Sequence, residues 1–136
     1  MEDTLLLDDR IVATKFTKPF NEIKRGQIVV FKDPGDWLPE YESSRNVFLH
    51  FLSVVGLLPS DAGDDLVKRV IGVSGDTVKC CSKNNKILIN GVELKDDNFI
   101  KPGAETNQVE FEITVPEKRI FVMGDNRPGS RDSRCH

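Results

Sequence analysis

Short runs of β-favouring residues recur between turn residues along most of this chain, and that punctuation predicts an all-β protein. The runs are Arg10–Phe16, Gln27–Phe31, Leu66–Ile71, Thr77–Cys81, Lys86–Ile89, Val109–Val115 and Arg119–Met123. In the clearest of them Val109, Phe111, Ile113 and Val115 alternate with Glu110, Glu112 and Thr114, which predicts a strand with one wet face. Asn90-Gly91, between Ile87-Leu88-Ile89 and Val92-Glu93-Leu94, predicts a type I′ hairpin, because that turn needs positive φ at both central residues.

One segment breaks the pattern. Ser43-Ser44 can cap a helix starting near Arg45, and Pro59 would stop it. From Val47 to Leu58 only His50, Ser53 and Gly56 interrupt the apolar residues, and they recur every third position as one narrow stripe. Twelve residues rise only about 18 Å as a helix, too short to span a bilayer. Such a helix either packs on the β core or lies at a membrane surface through Phe48, Leu52, Val55 and Leu58. The acidic stretches Asp33–Glu42 and Asp61–Asp65 flank it as loops.

At 136 residues, 38% of them hydrophobic, the chain can bury one core with a small appended subdomain. A net charge of −3 argues against a nucleic-acid partner, which would favour a basic face. No apolar run approaches the roughly 20 residues that cross a bilayer. The sequence as written reads as soluble, as an anchored protein shorn of its anchor would. The three cysteines lack metal spacing to His50 and His136. Adjacent Cys80 and Cys81 are poorly placed to bridge each other, so free thiols are expected, with a bridge to Cys135 as the alternative.

Four blocks carry the chemistry. They are Met1-Glu2-Asp3-Thr4-Leu5 with Asp9-Arg10-Ile11-Val12; Arg25-Gly26-Gln27-Ile28-Val29-Val30-Phe31-Lys32; Lys68-Arg69-Val70-Ile71-Gly72-Val73-Ser74-Gly75-Asp76-Thr77-Val78; and Gly124-Asp125-Asn126-Arg127-Pro128-Gly129-Ser130-Arg131-Asp132-Ser133-Arg134. Lys68 lies among Leu66-Val67 and Val70-Ile71. Desolvation there would lower its pKa and make a neutral amine accessible as a general base for a serine hydroxyl. A lowering of about three units would cost about 4 kcal/mol, which a fold keeps only for a reason. Taken alone, Lys68 reads more plainly as an edge-strand lysine facing solvent. Taken alone, the fourth block reads as a solvated loop. As part of a site, its Ser130 can hydrogen-bond the lysine amine while Asp/Arg pairs fix the loop. Its carboxylates are too few for a calcium loop, and no Gly-Lys-Ser/Thr follows for a phosphate loop.

The order of these blocks, above all Lys68-Arg69-x-Ile-Gly-x-x-Gly-Asp followed by Gly-Asp-Asn-Arg-x-x-Ser-x-Asp-Ser-Arg, resembles the type I signal (leader) peptidases. The resemblance runs from Met1 to Arg134, loosely over 33–65 and 79–118. It implies coiled antiparallel sheets, with a catalytic core at 1–78 and 119–136 and a small β cap at 79–118. It implies a serine endopeptidase that removes signal peptides from exported preproteins at the outer face of the cytoplasmic membrane. Such an enzyme acts as a monomer, without metal or cofactor. Residue by residue, Lys68 matches the general base and Ser130 the serine that orients it. Arg69, Asp125, Asp132 and Arg134 match residues that brace the site. Met1, Leu5, Leu66 and Val67 fall where the family lines its small substrate pockets. The family's nucleophilic serine directly precedes the methionine matching Met1, so the 136 residues alone are expected to be inactive. Core strands would continue past the fourth block. Asp3, Asp8 and Ser74 stand where the family often carries proline, glycine and proline. The rivals are a self-cleaving repressor-type serine–lysine protease, which lacks the fourth block, and a non-catalytic β-rich binding module.

Overall fold

The computed structural model describes residues 1, 4–6, 8–13, 22–34, 37, 65–95, 98–100 and 109–135. The expected helix at 45–58, most of its flanking loops, both histidines and the end of the strand expected at 10–16 lie outside these. Among the described residues seven strands follow in order: β1 (Ile28–Lys32), β2 (Asp65–Val73), β3 (Thr77–Cys80), β4 (Leu88–Ile89), β5 (Val92–Glu93), β6 (Phe111–Thr114) and β7 (Ile120–Met123). They form a three-stranded sheet of order β1-β2-β7 and a four-stranded sheet of order β5-β4-β3-β6. The protein is an all-β chain of antiparallel sheets, as the punctuation predicts. Arg10–Ala13 forms no strand; its residues are exposed and irregular. Among the described residues, no helix is long and apolar enough to cross a membrane.

The chain divides into two compact units, residues 1–29 with 67–136, and residues 30–66. In the smaller, Phe31 and Trp37 meet edge to face at 5.8 Å, and the Trp37 N–H donates to Asp33 Oδ1 at 3.3 Å.

The larger unit is built around the turn from β2 to β3. Gly75 takes φ +86°, and the Asp76 N–H donates back to the Val73 carbonyl at 2.9 Å, closing the turn. Just before it, β2 pairs with β7 through a bulge between Val70 and Gly72. The extra residue breaks the period of two, so Val70, Ile71 and Gly72 are all buried. Gly72 is required by packing, since a Cβ there would stand 2.7 Å from Val78 Cγ2. Ile71, Val78, Cys80, Ile87, Ile89, Val115, Phe121 and Met123 form one core that draws on both sheets, with Cys81, Leu94 and Phe111 packed against it.

The Asn90-Gly91 hairpin forms with φ of 52° and 81°, as a type I′ turn needs. The alternation expected across Val109–Val115 holds only in part. Val115 is buried and Phe111 stacks on Phe121 at 5.6 Å, while Val109 and Ile113 remain 62% and 41% exposed. The reason is position: among the described residues β6 is an edge strand, with only β3 beside it.

The Cys80 and Cys81 sulfurs lie against each other, and Cys135 is free and exposed.

Candidate active site

The period of two along β2 decides where Lys68 goes. Leu66, Lys68 and Val70 occupy the buried positions, while Val67 and Arg69 are half-buried between them. Lys68 is only 8% exposed, so it is not a solvent-facing lysine. Register decides what it meets. Arg69 stands opposite Met123, the last residue of β7, so the chain leaving β7 as Gly124-Asp125 arrives beside Lys68 and Arg69. The following residues fold back, and Lys68 Nζ donates to Ser130 Oγ at 2.9 Å.

Gly124 makes this approach feasible. A Cβ at that position would collide with Ser130 Oγ, stand 2.7 Å from Ser130 Cβ and reach within 3.7 Å of Lys68 Nζ. The serine thus occupies the space that a side chain would fill.

Asp132 holds the loop in this form. Fully buried, it accepts from the Gly124 N–H at 3.0 Å, from Arg134 Nε at 2.8 Å and from Arg134 Nη2 at 2.9 Å. Arg134 also donates to the Arg127 carbonyl at 2.7 Å, tying the two ends of the loop. Burial by itself would raise the Asp132 pKa. The hydrogen-bonded Arg134 guanidinium, the Gly124 amide and the Ser130 hydroxyl outweigh that and hold it below the ordinary carboxylate value.

A second ion pair lies alongside. Arg69 grips the fully buried Asp125 with two parallel bonds, Nε to Oδ1 at 2.9 Å and Nη2 to Oδ2 at 2.8 Å. Its Nη1 donates to the Gly26 carbonyl at 2.9 Å, and its guanidinium lies 4.2 Å over the Phe99 ring. Asp125 also accepts from the Thr4 hydroxyl. Burial would raise its pKa, but the bonds from Arg69 and Thr4 and the charges of Arg69 and Arg127 hold it down. Arg127 is itself buried, with Nη1 3.6 Å from Met123 Sδ.

The electrostatic outcome centres on the lysine. Desolvation lowers the Lys68 pKa from its ordinary 10.5; the Asp132 charge opposes that and the Arg134 charge reinforces it, and lowering wins. A buried amine poised toward its neutral form beside a serine hydroxyl can take a proton from a second hydroxyl brought to it.

The structure therefore gathers Lys68, Ser130, Asp132 and Arg134 in one cluster, with Arg69 and Asp125 beside it. Leu66 and Val67 precede Lys68 on β2, the first buried and the second half-buried. Met1 and Leu5 are half-buried in a turn where the Leu5 N–H donates to the Met1 carbonyl at 2.9 Å. Thr4, Gly124, Gly26 and Phe99 were not singled out from sequence. Thr4, Gly26 and Gly124 lie inside the first, second and fourth blocks, so the blocks themselves are a signal. Nothing local marks Phe99.

Comparison with known proteins identifies the family. The sequence matches the family described as signal peptidase, peptidase S26, over residues 1–136. It is 39% identical over 156 residues to a probable signal peptidase I of Mycobacterium leprae, covering all of this chain and 53% of that protein. It is likewise 39% identical over 159 residues to a signal peptidase I of Mycobacterium tuberculosis, covering 52% of it. The chain thus spans about half the length of these curated relatives. The crystal structure of a signal peptidase I from Enterococcus faecalis is also similar, with 36% identity and a TM-score of 0.42, over 53% of this chain and 72% of that one. The chain belongs to the signal peptidase family, peptidase S26.

Proposed function

We propose that the protein containing this chain is a membrane-bound endopeptidase that removes signal peptides by a serine–lysine mechanism, with Lys68 as the general base. The observation that carries the reading is the buried Lys68 amine, 2.9 Å from Ser130 Oγ and with its pKa lowered by desolvation. The nucleophile in this reading is a serine immediately ahead of Met1. Its hydroxyl attacks the scissile carbonyl as the neutral Lys68 takes the proton. The C–N bond then breaks, the Lys68 ammonium returns the proton to the leaving amine, and an acyl-enzyme remains. Water attacks that ester, Lys68 again takes and returns the proton, and the serine is restored.

Ser130 orients the lysine. Asp132, Arg134, Arg69 and Asp125 keep the loop and β2 in place. The resemblance alone assigns Met1, Leu5, Leu66 and Val67 to the pockets for small substrate residues, and 79–118 to a cap on the catalytic core. The substrate is an extended segment ending in an Ala-x-Ala pattern, and its backbone adds beside the catalytic strands. The partners are preprotein signal peptides at the outer surface of the cytoplasmic membrane, and the enzyme works as a monomer.

The experiment compares three chains on an Ala-x-Ala peptide: the 136 residues alone, the chain extended upstream with serine ahead of Met1, and the same extension with alanine there. Turnover by the serine form alone is the expected result. Clear turnover by either of the others overturns the reading, and a folded serine form that stays inert overturns it in favour of a binding module.

A further inference from the structure

We propose that Thr4 is a positioning residue, whose hydroxyl fixes the turn that follows the nucleophile to the Arg69–Asp125 ion pair. This rests on the serine–lysine reading above and extends it to a residue with no part in the proton transfers.

Three observations converge on it. The acceptor is immobile: Asp125 is fully buried, and both of its oxygens are aligned by the Arg69 fork. Arg69 is itself held on two further sides, by the Gly26 carbonyl at 2.9 Å and by the Phe99 ring at 4.2 Å. The group that reports to this anchor is the Thr4 hydroxyl, which donates to Asp125 Oδ2.

The remaining hydrogen bonds of residues 1, 4–6 and 8–13, among the described residues, run within the segment. Thr4 N–H and Leu5 N–H both donate to the Met1 carbonyl, at 3.2 and 2.9 Å, and Leu6 and Asp9 bond each other. Among the described residues, the turn is thus bonded to the site through the Thr4 side chain. Fixing Thr4 fixes the Met1 carbonyl, and with it the backbone of the residue bonded to Met1. The lysine has a separate anchor in Ser130. The two reacting groups are therefore aligned through β2, whose neighbours Lys68 and Arg69 hold one anchor each.

An alternative role is bulk packing, in which the γ-methyl of Thr4 matters and its hydroxyl does not. Two substitutions separate them. Thr4→Val keeps the shape and removes the hydroxyl, while Thr4→Ser keeps the hydroxyl and removes the methyl.

The test is made in the chain extended upstream with serine ahead of Met1, with Lys68→Arg alongside. Thr4→Val should lower kcat about 10- to 100-fold with KM little changed, because misplacing a nucleophile by an ångström costs on that order. The acid limb of its pH–rate profile should not move, since Lys68 is untouched. Thr4→Ser should return kcat to within a few-fold of the parent. Amide exchange at Leu5 should quicken in Thr4→Val and not in Thr4→Ser. The proposal is overturned if Thr4→Ser is as slow as Thr4→Val, if Thr4→Val matches the parent, or if Thr4→Val loses the fold altogether. If Lys68→Arg stays active, the serine–lysine reading fails instead, whatever the Thr4 variants do.

Discussion

The smallest scale at which this chain can be tested is one hydrogen atom on Gly124. Replacing it by a methyl places a carbon 2.7 Å from Ser130 Cβ and closer still to its Oγ, so the serine that Lys68 bonds must shift. Gly124→Ala should therefore cost at least as much activity as Ser130→Ala, for which a loss of about 10²-fold is expected from removal of an orienting partner. Steady-state kinetics on the serine-bearing chain check this. A Gly124→Ala enzyme faster than Ser130→Ala would mean that the loop has slack the structure does not show. At this scale the sequence was informative about which residue types matter and silent about their geometry. Lys68 among apolar neighbours suggested a desolvated amine. Its depth came from the period of two along β2, and its partner from the β2–β7 register, neither of which local sequence specifies.

At the scale of elements, the short β-rich runs gave six of the seven strand regions directly, and Asn90-Gly91 with the residues after it gave the remaining hairpin strand. The misses have physical causes. Arg10–Ala13 carries the composition of a strand but has no pairing partner among the described residues, and composition cannot supply one. Ile113 alternates correctly yet stays exposed because edge position, not pattern, decides burial. The join between elements rests on Asp76, which accepts from Arg25 Nε at 2.7 Å, from the Val73 N–H at 2.8 Å and from Asn90 Nδ2 at 3.0 Å. It thereby links the approach to β1, the β2–β3 turn and the β4–β5 hairpin. The Arg25 guanidinium, with these other bonds, holds the Asp76 pKa at about 2 against an ordinary 3.8. A depressed carboxyl contributes stability that is present above the ordinary value and lost as pH falls through about 2. Arg25 is 47% exposed, so screening reduces the effect, and Asp76→Asn should cost about 1–2 kcal/mol at pH 7. Urea unfolding should show that gap narrowing toward pH 2. A gap independent of pH would mean that the ion pair is not its source.

For the molecule as a whole, stability and activity pull against each other at Lys68. Its folded pKa lies below the ordinary 10.5, so the unfolded chain holds that proton more tightly. The resulting penalty is fully present below the folded pKa and is relieved as pH rises toward 10.5. Lys68→Met should accordingly raise the unfolding free energy at pH 7, with an advantage that shrinks at higher pH, while abolishing turnover. Unfolding curves at both pH values, set beside a peptide assay, would show whether the buried amine is kept for chemistry. The most direct measurement is the pH dependence of kcat/KM for an Ala-x-Ala peptide, made on the serine-bearing chain with and without Lys68→Arg. A neutral lysine base predicts activity that rises with pH and levels off below 10.5, and none at any pH with arginine, whose guanidinium stays protonated. A limb that climbs to 10.5 without levelling, or a Lys68→Arg enzyme that still cleaves, would contradict the account.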